Sequence, residues 1–415
     1  MDPFNLNNVK EAVSLLSDVV SKTPLMRNVH KSNDFEANVY FKREDLQQVR
    51  SYKIRGAYNK ISSLTDDELA RGIVCASAGN HAQGVAYSCF MKKIKGIVFM
   101  PTPTPKQKIE QVKMFGGDWV EIILVGDTFD DASADAIHYC EAHQMNFIHP
   151  FDDIKVIEGQ ATIALELIDQ AIEPIDFLFL PVGGGGLASG VSSVFRMLSP
   201  ETKVIGVEPT GAPSMSTSIL NGVNTKLDQI DKFIDGASVQ KVGDLNFELC
   251  KRNLNEMITV DEGKVCQTIL DLYNKDAIVV EPAGALTVSA LDQYREQIKG
   301  KNVVCLISGS NNDITRTEEI KERALIYSGI KHYFIVRFPQ RAGALKEFIS
   351  EVLGPKDDIT HFEYSKKHNR TSGPAIIGLE LGSEEKIDSI MDRMNTLRFH
   401  WEYLNDNNDL FQLLI

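Results

Sequence analysis

The 415-residue sequence lacks a Cys-x-x-Cys pair, a Lys/Arg-rich block, a low-complexity tract and any internal repeat. Its six cysteines (Cys75, Cys89, Cys140, Cys250, Cys266 and Cys305) lie far apart, several inside apolar runs, which points to packed thiols in a reducing cytosol. Basic residues are outnumbered, 44 against 57 acidic ones, and the net charge of −13 repels phosphate backbones. No nucleic-acid partner is expected. Two stretches carry no Asp, Glu, Lys or Arg, residues 73–91 and 177–195. The first holds Asn80, His81 and Gln83 and the second Pro181 and four consecutive glycines, so neither suits a lipid-facing helix and no membrane span is expected. Met1-Asp2-Pro3-Phe4 has no basic segment leading into an apolar one, which removes a visible secretory signal. A cytoplasmic protein is expected.

What is present is ordinary for a globular chain: 43% hydrophobic and 24% charged residues exclude disorder and collagen. At roughly 100 to 200 residues per domain the length allows two or three domains. From residue 72 to about 149, β-rich runs (73–76, 96–100, 119–125) alternate with helix-period stretches (79–91, 106–115, 129–143). The alternation resumes with a helix over 158–171, a strand over 177–181, a helix over 187–198 and a strand over 204–207. Strands over 257–260 and 303–307 and helices over 264–273 and 283–294 follow. Repeated βα units imply buried, parallel sheets in two α/β lobes with a cleft between them. Beyond residue 328 the order becomes βαββαβ (331–338, 342–353, 359–365, 374–381, 384–394, 398–403), the ferredoxin-like pattern. The charged stretch 315–328 reads as a helical connector.

Four stretches can carry chemistry. The strand over 177–181 feeds Gly183-Gly184-Gly185-Gly186 and a helix from Leu187, exposing backbone N–H groups at a positive helix end, a cradle for phosphate. A tight or flexible turn is the bland reading. No Gly-Lys-Ser/Thr follows, so it is not a P-loop. It does fit Gly-x-Gly-x-x-Ala, with Glu208 twenty residues beyond Ala188, and a dinucleotide-binding turn is therefore a rival. In Ser51-Tyr52-Lys53-Ile54-Arg55-Gly56-Ala57, Lys53 stands between an aromatic and a β-branched residue, where desolvation would lower its pKa and free an amine for imine formation or proton transfer. A lone helical lysine is more often a solvated surface group. Ser77-Ala78-Gly79-Asn80-His81-Ala82-Gln83-Gly84 offers hydroxyl, amide and backbone donors at a helix start, suited to a carboxylate, although a plain N-cap explains Ser and Asn equally well. Leu306-Ile307-Ser308-Gly309-Ser310-Asn311 ends a strand in small polar residues, at a ligand edge or a routine turn.

In this order and spacing the four stretches resemble the serine/threonine dehydratases, fold-type-II enzymes dependent on pyridoxal 5'-phosphate (PLP). His149-Pro150-Phe151-Asp152-Asp153, Glu158-Gly159-Gln160, Asp235-Gly236-Ala237 and Glu281-Pro282-Ala283-Gly284-Ala285 add to the likeness, and the C-terminal βαββαβ unit looks like the ACT-like regulatory domain of biosynthetic members. The resemblance implies an α/β, two-lobed, tryptophan synthase β-like catalytic region over residues 1–325, with a smaller lobe at about 45–150, and a regulatory domain over 326–415. It implies that Lys53 holds PLP covalently and serves as the base, that Gly183, Gly184, Gly185, Gly186 and Leu187 cradle its phosphate, that Asn80 meets the ring hydroxyl and Ser308 the ring nitrogen. Ser77, Ala78, Gly79, Asn80 and His81 would hold the substrate carboxylate, His81 without a catalytic role. The implied reaction is elimination of water from L-threonine to give 2-oxobutanoate and ammonia, the first step toward isoleucine, with isoleucine and possibly valine as effector and a homotetrameric assembly.

Departures sharpen the reading. Ala78 replaces the second serine base of related racemases. Ser214 replaces the second carboxylate of relatives that pair Glu208 with a divalent ion, so no metal is expected. Ser310 replaces a glycine and is expected to narrow the space near the ring. An NAD-dependent dehydrogenase and a non-catalytic amino-acid sensor are the competing functions.

Overall fold

The computed structural model describes residues 4–364, 372–382 and 386–406, and the chain divides into two units, Met1–Thr315 and Arg316–Ile415. Among the described residues ten strands belong to the first: β1 (Leu25–Arg27), β2 (Asn38–Arg43), β3 (Ile73–Ala76), β4 (Gly96–Met100), β5 (Val120–Leu124), β6 (Asn146–Phe147), β7 (Phe177–Pro181), β8 (Lys203–Pro209), β9 (Glu256–Val260) and β10 (Asn302–Ile307). They form a six-stranded sheet, β1-β2-β10-β7-β8-β9, parallel except for β1, and a parallel four-stranded sheet, β5-β4-β3-β6. Phe177 to Pro181 is buried at every position, as expected of a strand covered on both faces. Parallel strands leave their C-terminal ends on one edge, where ligands bind. The register Val303↔Phe177 and Cys305↔Phe179 carries Ser308 to the level at which β7 turns into the glycines.

The helices follow local signals. Thr65 and Thr128 start theirs through capping boxes with Glu68 and Asp131. The helix expected over 158–171 begins earlier, at Ile154, because the Asp153 carboxylate accepts from the amides of Lys155 and Val156. Trp119, expected in a strand, lies in a 3₁₀ turn after Gly117, whose φ of +53° ends the preceding helix. The helix Lys53–Ser62 packs against both Asn80–Lys92 and Ile154–Gln170, and glycines permit the closeness. A Cβ on Gly84 would stand 3.2 Å from the backbone of Lys53, and one on Gly159 would stand 2.5 Å from the Arg55 carbonyl oxygen.

The second unit contains β11 (Lys331–Pro339), β12 (Asp358–Tyr364), β13 (Ser372–Glu380) and β14 (His400–Tyr403), an antiparallel sheet in the order β12-β13-β11-β14. That is the ferredoxin-like order expected of βαββαβ. Phe334, Val336 and Phe338 alternate into its core with Phe348, Ile377 and Met394. Ser365 and Glu384, placed by sequence at element ends, lie outside the described residues. The helix between β11 and β12 runs Ala344–Glu347 and widens into a π turn, Phe348–Val352. The stretch read as a connector contains a helix, Thr317–Tyr327, that belongs to this unit: Glu322 accepts from Tyr333 Oη at 2.6 Å and pairs with Lys331 at 2.9 Å. No described helix is long and apolar enough to cross a membrane.

Candidate active site

Lys53 opens its helix directly beyond β10: Ser51 bridges Gly309, and the Tyr52 amide donates to the Ser308 carbonyl at 3.1 Å. Its Nζ donates to the Pro150 carbonyl at 2.9 Å. Burial lowers this amine to about 8, while the nearby Glu281 carboxylate opposes the fall. An ordinary lysine is neutral in roughly one molecule in 300 at pH 8, whereas this one is neutral in about half. Half-buried, with its Nζ held by the Pro150 carbonyl, Lys53 is not the freely solvated surface group of the alternative reading.

The residue after Pro150 reaches the glycine turn. A Cβ on Gly184 would overlap the Phe151 ring at 2.3 Å, and one on Gly186 would lie 2.9 Å from the Phe151 carbonyl oxygen. Gly185 has φ +95° and faces Asn246, and Gly183 is pressed against the backbone of Ala237. Packing thus demands each of the four glycines, which a merely flexible turn would not. Among the described residues no acceptor takes the amides of Gly183, Gly184, Gly185, Gly186 or Leu187. One dipeptide, Pro150-Phe151, therefore holds the amine and the open amides side by side.

The loop after β3 supplies Ser77, Ala78, Gly79 and Asn80, all half-buried. Ser77 Oγ accepts from the Gly79 amide at 3.2 Å, and Gly79 has free space where a side chain would stand. No side chain caps the helix Asn80–Lys92, so the plain N-cap reading fails. Instead Asn80 Nδ2 donates to Glu281 Oε1 at 2.7 Å, and Asn80 Oδ1 accepts from Asn311 Nδ2 at 2.5 Å. His81 is buried and donates Nε2–H to the Ile148 carbonyl at 2.9 Å, leaving Nδ1 unpartnered. Burial, with the Lys53 charge, drops it to about 3, so it stays neutral. Ser308, 1% exposed, and Ser51 also present buried hydroxyls without a partner. Ser310 turns its hydroxyl to the Asp45 carbonyl at 3.2 Å.

Residues 16–309 match the family described as pyridoxal-phosphate dependent enzyme. The chain belongs to this PLP-dependent family. Residues 322–414 match the C-terminal regulatory domain of threonine dehydratase. The chain is 54% identical over 415 residues to the biosynthetic L-threonine dehydratase IlvA of Halalkalibacterium halodurans, with all of both chains covered. It is 53% identical over 412 residues to that of Bacillus subtilis, covering 99% of this chain and 98% of the other. Among solved structures, the processed form of threonine deaminase isoform 2 from Solanum lycopersicum is 38% identical with a TM-score of 0.73, covering 77% of this chain and 94% of that one. Maize serine racemase is 27% identical with a TM-score of 0.72, covering 79% and 99%. The fold is thus the α/β fold-type-II PLP region expected, followed by an antiparallel regulatory domain.

The PLP-dependent family's cofactor fits this site. Open amides at a helix start suit its phosphate, a depressed amine suits its aldehyde, and the unpartnered hydroxyl of Ser308 suits a neutral contact to the ring. The dinucleotide rival loses its acceptor: Glu208 takes the amides of Met215 and Ser216, at 2.6 and 2.9 Å, and the Ser216 hydroxyl, instead of standing free for a ribose. Ser214 is tied to the Val239 carbonyl, and no three His, Cys, Asp or Glu among the described residues cluster as metal ligands.

Two features escaped sequence reasoning. Glu281 was legible only as part of a motif, yet it is the carboxylate that Asn80 contacts. Arg55, inside the lysine motif, is wholly buried against Glu44 and the partly exposed Glu166, and nothing in its sequence neighbourhood names either partner.

Proposed function

We propose that this protein is an L-threonine ammonia-lyase (threonine dehydratase), converting L-threonine to 2-oxobutanoate and ammonia at the head of isoleucine synthesis. The observation that carries the reading is the Pro150-Phe151 dipeptide, which sets the Lys53 amine beside the unpaired amides of residues 183–187. When bound, PLP supplies an electron sink for the charge left as the α-proton departs.

The protein's residues do the rest. The amides of Gly183, Gly184, Gly185, Gly186 and Leu187 bind the phosphate and set the ring's place. Lys53 anchors the cofactor and, once freed, takes the α-proton; lowering of its pKa to about 8 makes the neutral base far more populated at mildly alkaline pH than in an ordinary lysine. A positioned base of this kind contributes roughly 10² to 10⁴ in rate. Ser77, Ala78, Gly79, Asn80 and His81 frame the substrate carboxylate through their backbone at the helix start. Asn80 meets the ring hydroxyl. Ser308, a buried hydroxyl without charge, would meet the ring nitrogen without enforcing a cation there, which would favour loss of the β-hydroxyl over long-lived charge delocalisation. The enamine so released hydrolyses to the 2-oxo acid.

The C-terminal unit binds isoleucine, with valine a second candidate effector, and lowers flux when product accumulates. A cytoplasmic homotetramer completes the reading. The test is 2-oxo acid production from threonine by PLP-loaded protein, titrated with isoleucine, together with borohydride reduction and peptide mapping. A cofactor mass on Lys53, lost in Lys53→Ala along with activity, is the expected result. An unlabelled Lys53, or a fully active Lys53→Ala, refutes the proposal.

A further inference from the structure

Glu281 is 6% exposed, sits at the start of the helix Pro282–Ser289, and is brought beside Asn80 by the fold. Gly309 leaves room for it: a Cβ there would stand 2.5 Å from Glu281 Oε1. The hydrogen-bond chain around it has one possible polarity. Asn311 Nδ2 spends its two protons on the Val49 carbonyl at 3.0 Å and on Asn80 Oδ1 at 2.5 Å. Asn80 must then present Nδ2 to the carboxylate. A backbone carbonyl at one end and a carboxylate at the other, both pure acceptors, fix the Asn80 amide in one of its two flips.

We propose that Glu281 is a positioning residue for the reaction: its carboxylate orients the Asn80 amide and holds a negative charge near the Lys53 amine. This rests on the threonine-dehydratase reading given above. Only the ionised form performs both tasks, because a protonated carboxyl is also a donor and carries no charge. The charged and titratable groups around it are Asp235, Lys108, Lys53 and Tyr52, and the Asn311 amide favours the carboxylate. Burial first, then Asp235, raises Glu281 to about 7, so its ionisation falls inside the working pH range.

The test uses the full PLP-loaded chain and Glu281→Gln. The expected results are a fall in kcat of about tenfold or more with KM for threonine moved less than about twofold, and loss of the acid limb near pH 7 from the kcat/KM profile. The pH midpoint of the cofactor's visible absorbance is expected to shift downward, since removal of a negative neighbour disfavours a cation. In an Asn80→Ala background, the fall in kcat caused by Glu281→Gln is expected to be smaller than in the wild type, because the share transmitted through the Asn80 amide is already lost while the charge near Lys53 is still removed. A merely structural role moves thermal stability but neither the limb nor the absorbance midpoint. If Glu281→Gln does not fold, Asn80→Asp decides: a second carboxylate against Glu281 raises the acid limb by about one pH unit. An unshifted profile and midpoint, multiplicative effects of the two substitutions, or an unmoved limb in Asn80→Asp overturn the proposal. A wild-type protein that releases no 2-oxo acid sinks the dehydratase reading instead, so the two failures are distinct.

Discussion

Replacing Arg55 by Met tests whether the helix that carries Lys53 is held by buried charge. Arg55 donates Nε and Nη2 to the two oxygens of Glu44, both at 2.8 Å, and Nη1 to Thr162 Oγ1 at 3.0 Å and Glu166 Oε1 at 2.7 Å. Lys42, equally buried, donates to Glu166 at 2.6 Å, the Thr23 carbonyl at 2.7 Å and Gln170 at 3.0 Å. Two cations and two carboxylates sum to zero, and each polar end is satisfied. Burial, the largest single influence, would raise the Glu44 carboxyl, yet Arg55 together with Lys42 and the Thr23 hydroxyl holds Glu44 below the ordinary range. Methionine keeps the length but strands one negative charge, which costs about 3 to 5 kcal/mol. Against a total stability of roughly 5 to 15 kcal/mol, a loss near 4 multiplies the unfolded fraction about a thousandfold. Urea unfolding of the apoprotein, followed by circular dichroism, is the assay. With a slope of about 2 to 3 kcal/mol per molar, the midpoint falls by about 1 to 2 M. Adding Glu44→Gln, which removes the stranded charge, is expected to recover much of the loss. A single variant within about 1 kcal/mol of wild type refutes the argument.

Gly184→Ala drives a methyl into the Phe151 ring at 2.3 Å; cofactor affinity, read by equilibrium dialysis, is expected to fall at least tenfold, and wild-type affinity contradicts the cradle. Glu208 is raised to about 7 by burial, so its stabilising contribution is complete below the unfolded value of 4.5 and is lost as pH climbs through 7. Its share is about 3 kcal/mol, and Glu208→Gln should flatten apoprotein stability between pH 5 and 8 by that order; an unchanged slope refutes it. Phe338 packs on Phe348, Phe362, Tyr364 and Phe399. Phe338→Ala is expected to cost about 3 to 5 kcal/mol in the C-terminal unit and to abolish the isoleucine response, while activity without isoleucine stays within twofold. Retained inhibition would show that this core does not support effector binding.

The junctions were legible because each is local. A strand, consecutive glycines and a helix lie within a dozen residues at 177–187, and period-two alternation from Lys331 to Phe338 announces a strand without outside information. Partners distant in sequence were not legible. Asn80 and Glu281 are 201 positions apart, and Arg55 meets Glu166 across 111. Nothing in either sequence neighbourhood names the other. The early start of the helix at Ile154 was missed because Asp153 also reads as part of a loop motif, and only geometry shows its carboxylate on two amides. The charged stretch 315–328 reads from sequence as a helical connector, yet Ile320 and Ala324 of its helix Thr317–Tyr327 are buried.

All six thiols are buried and free of disulfides, and none lies beyond Cys305. Cys75 and Cys89 report from one side of the four-stranded sheet and Cys140 from the other, while Cys250, Cys266 and Cys305 belong to the body of the six-stranded sheet. A thiol-alkylating pulse read by peptide mass therefore clocks transient opening of the two halves of the catalytic unit separately, and stays blind to breathing of the domain that follows them.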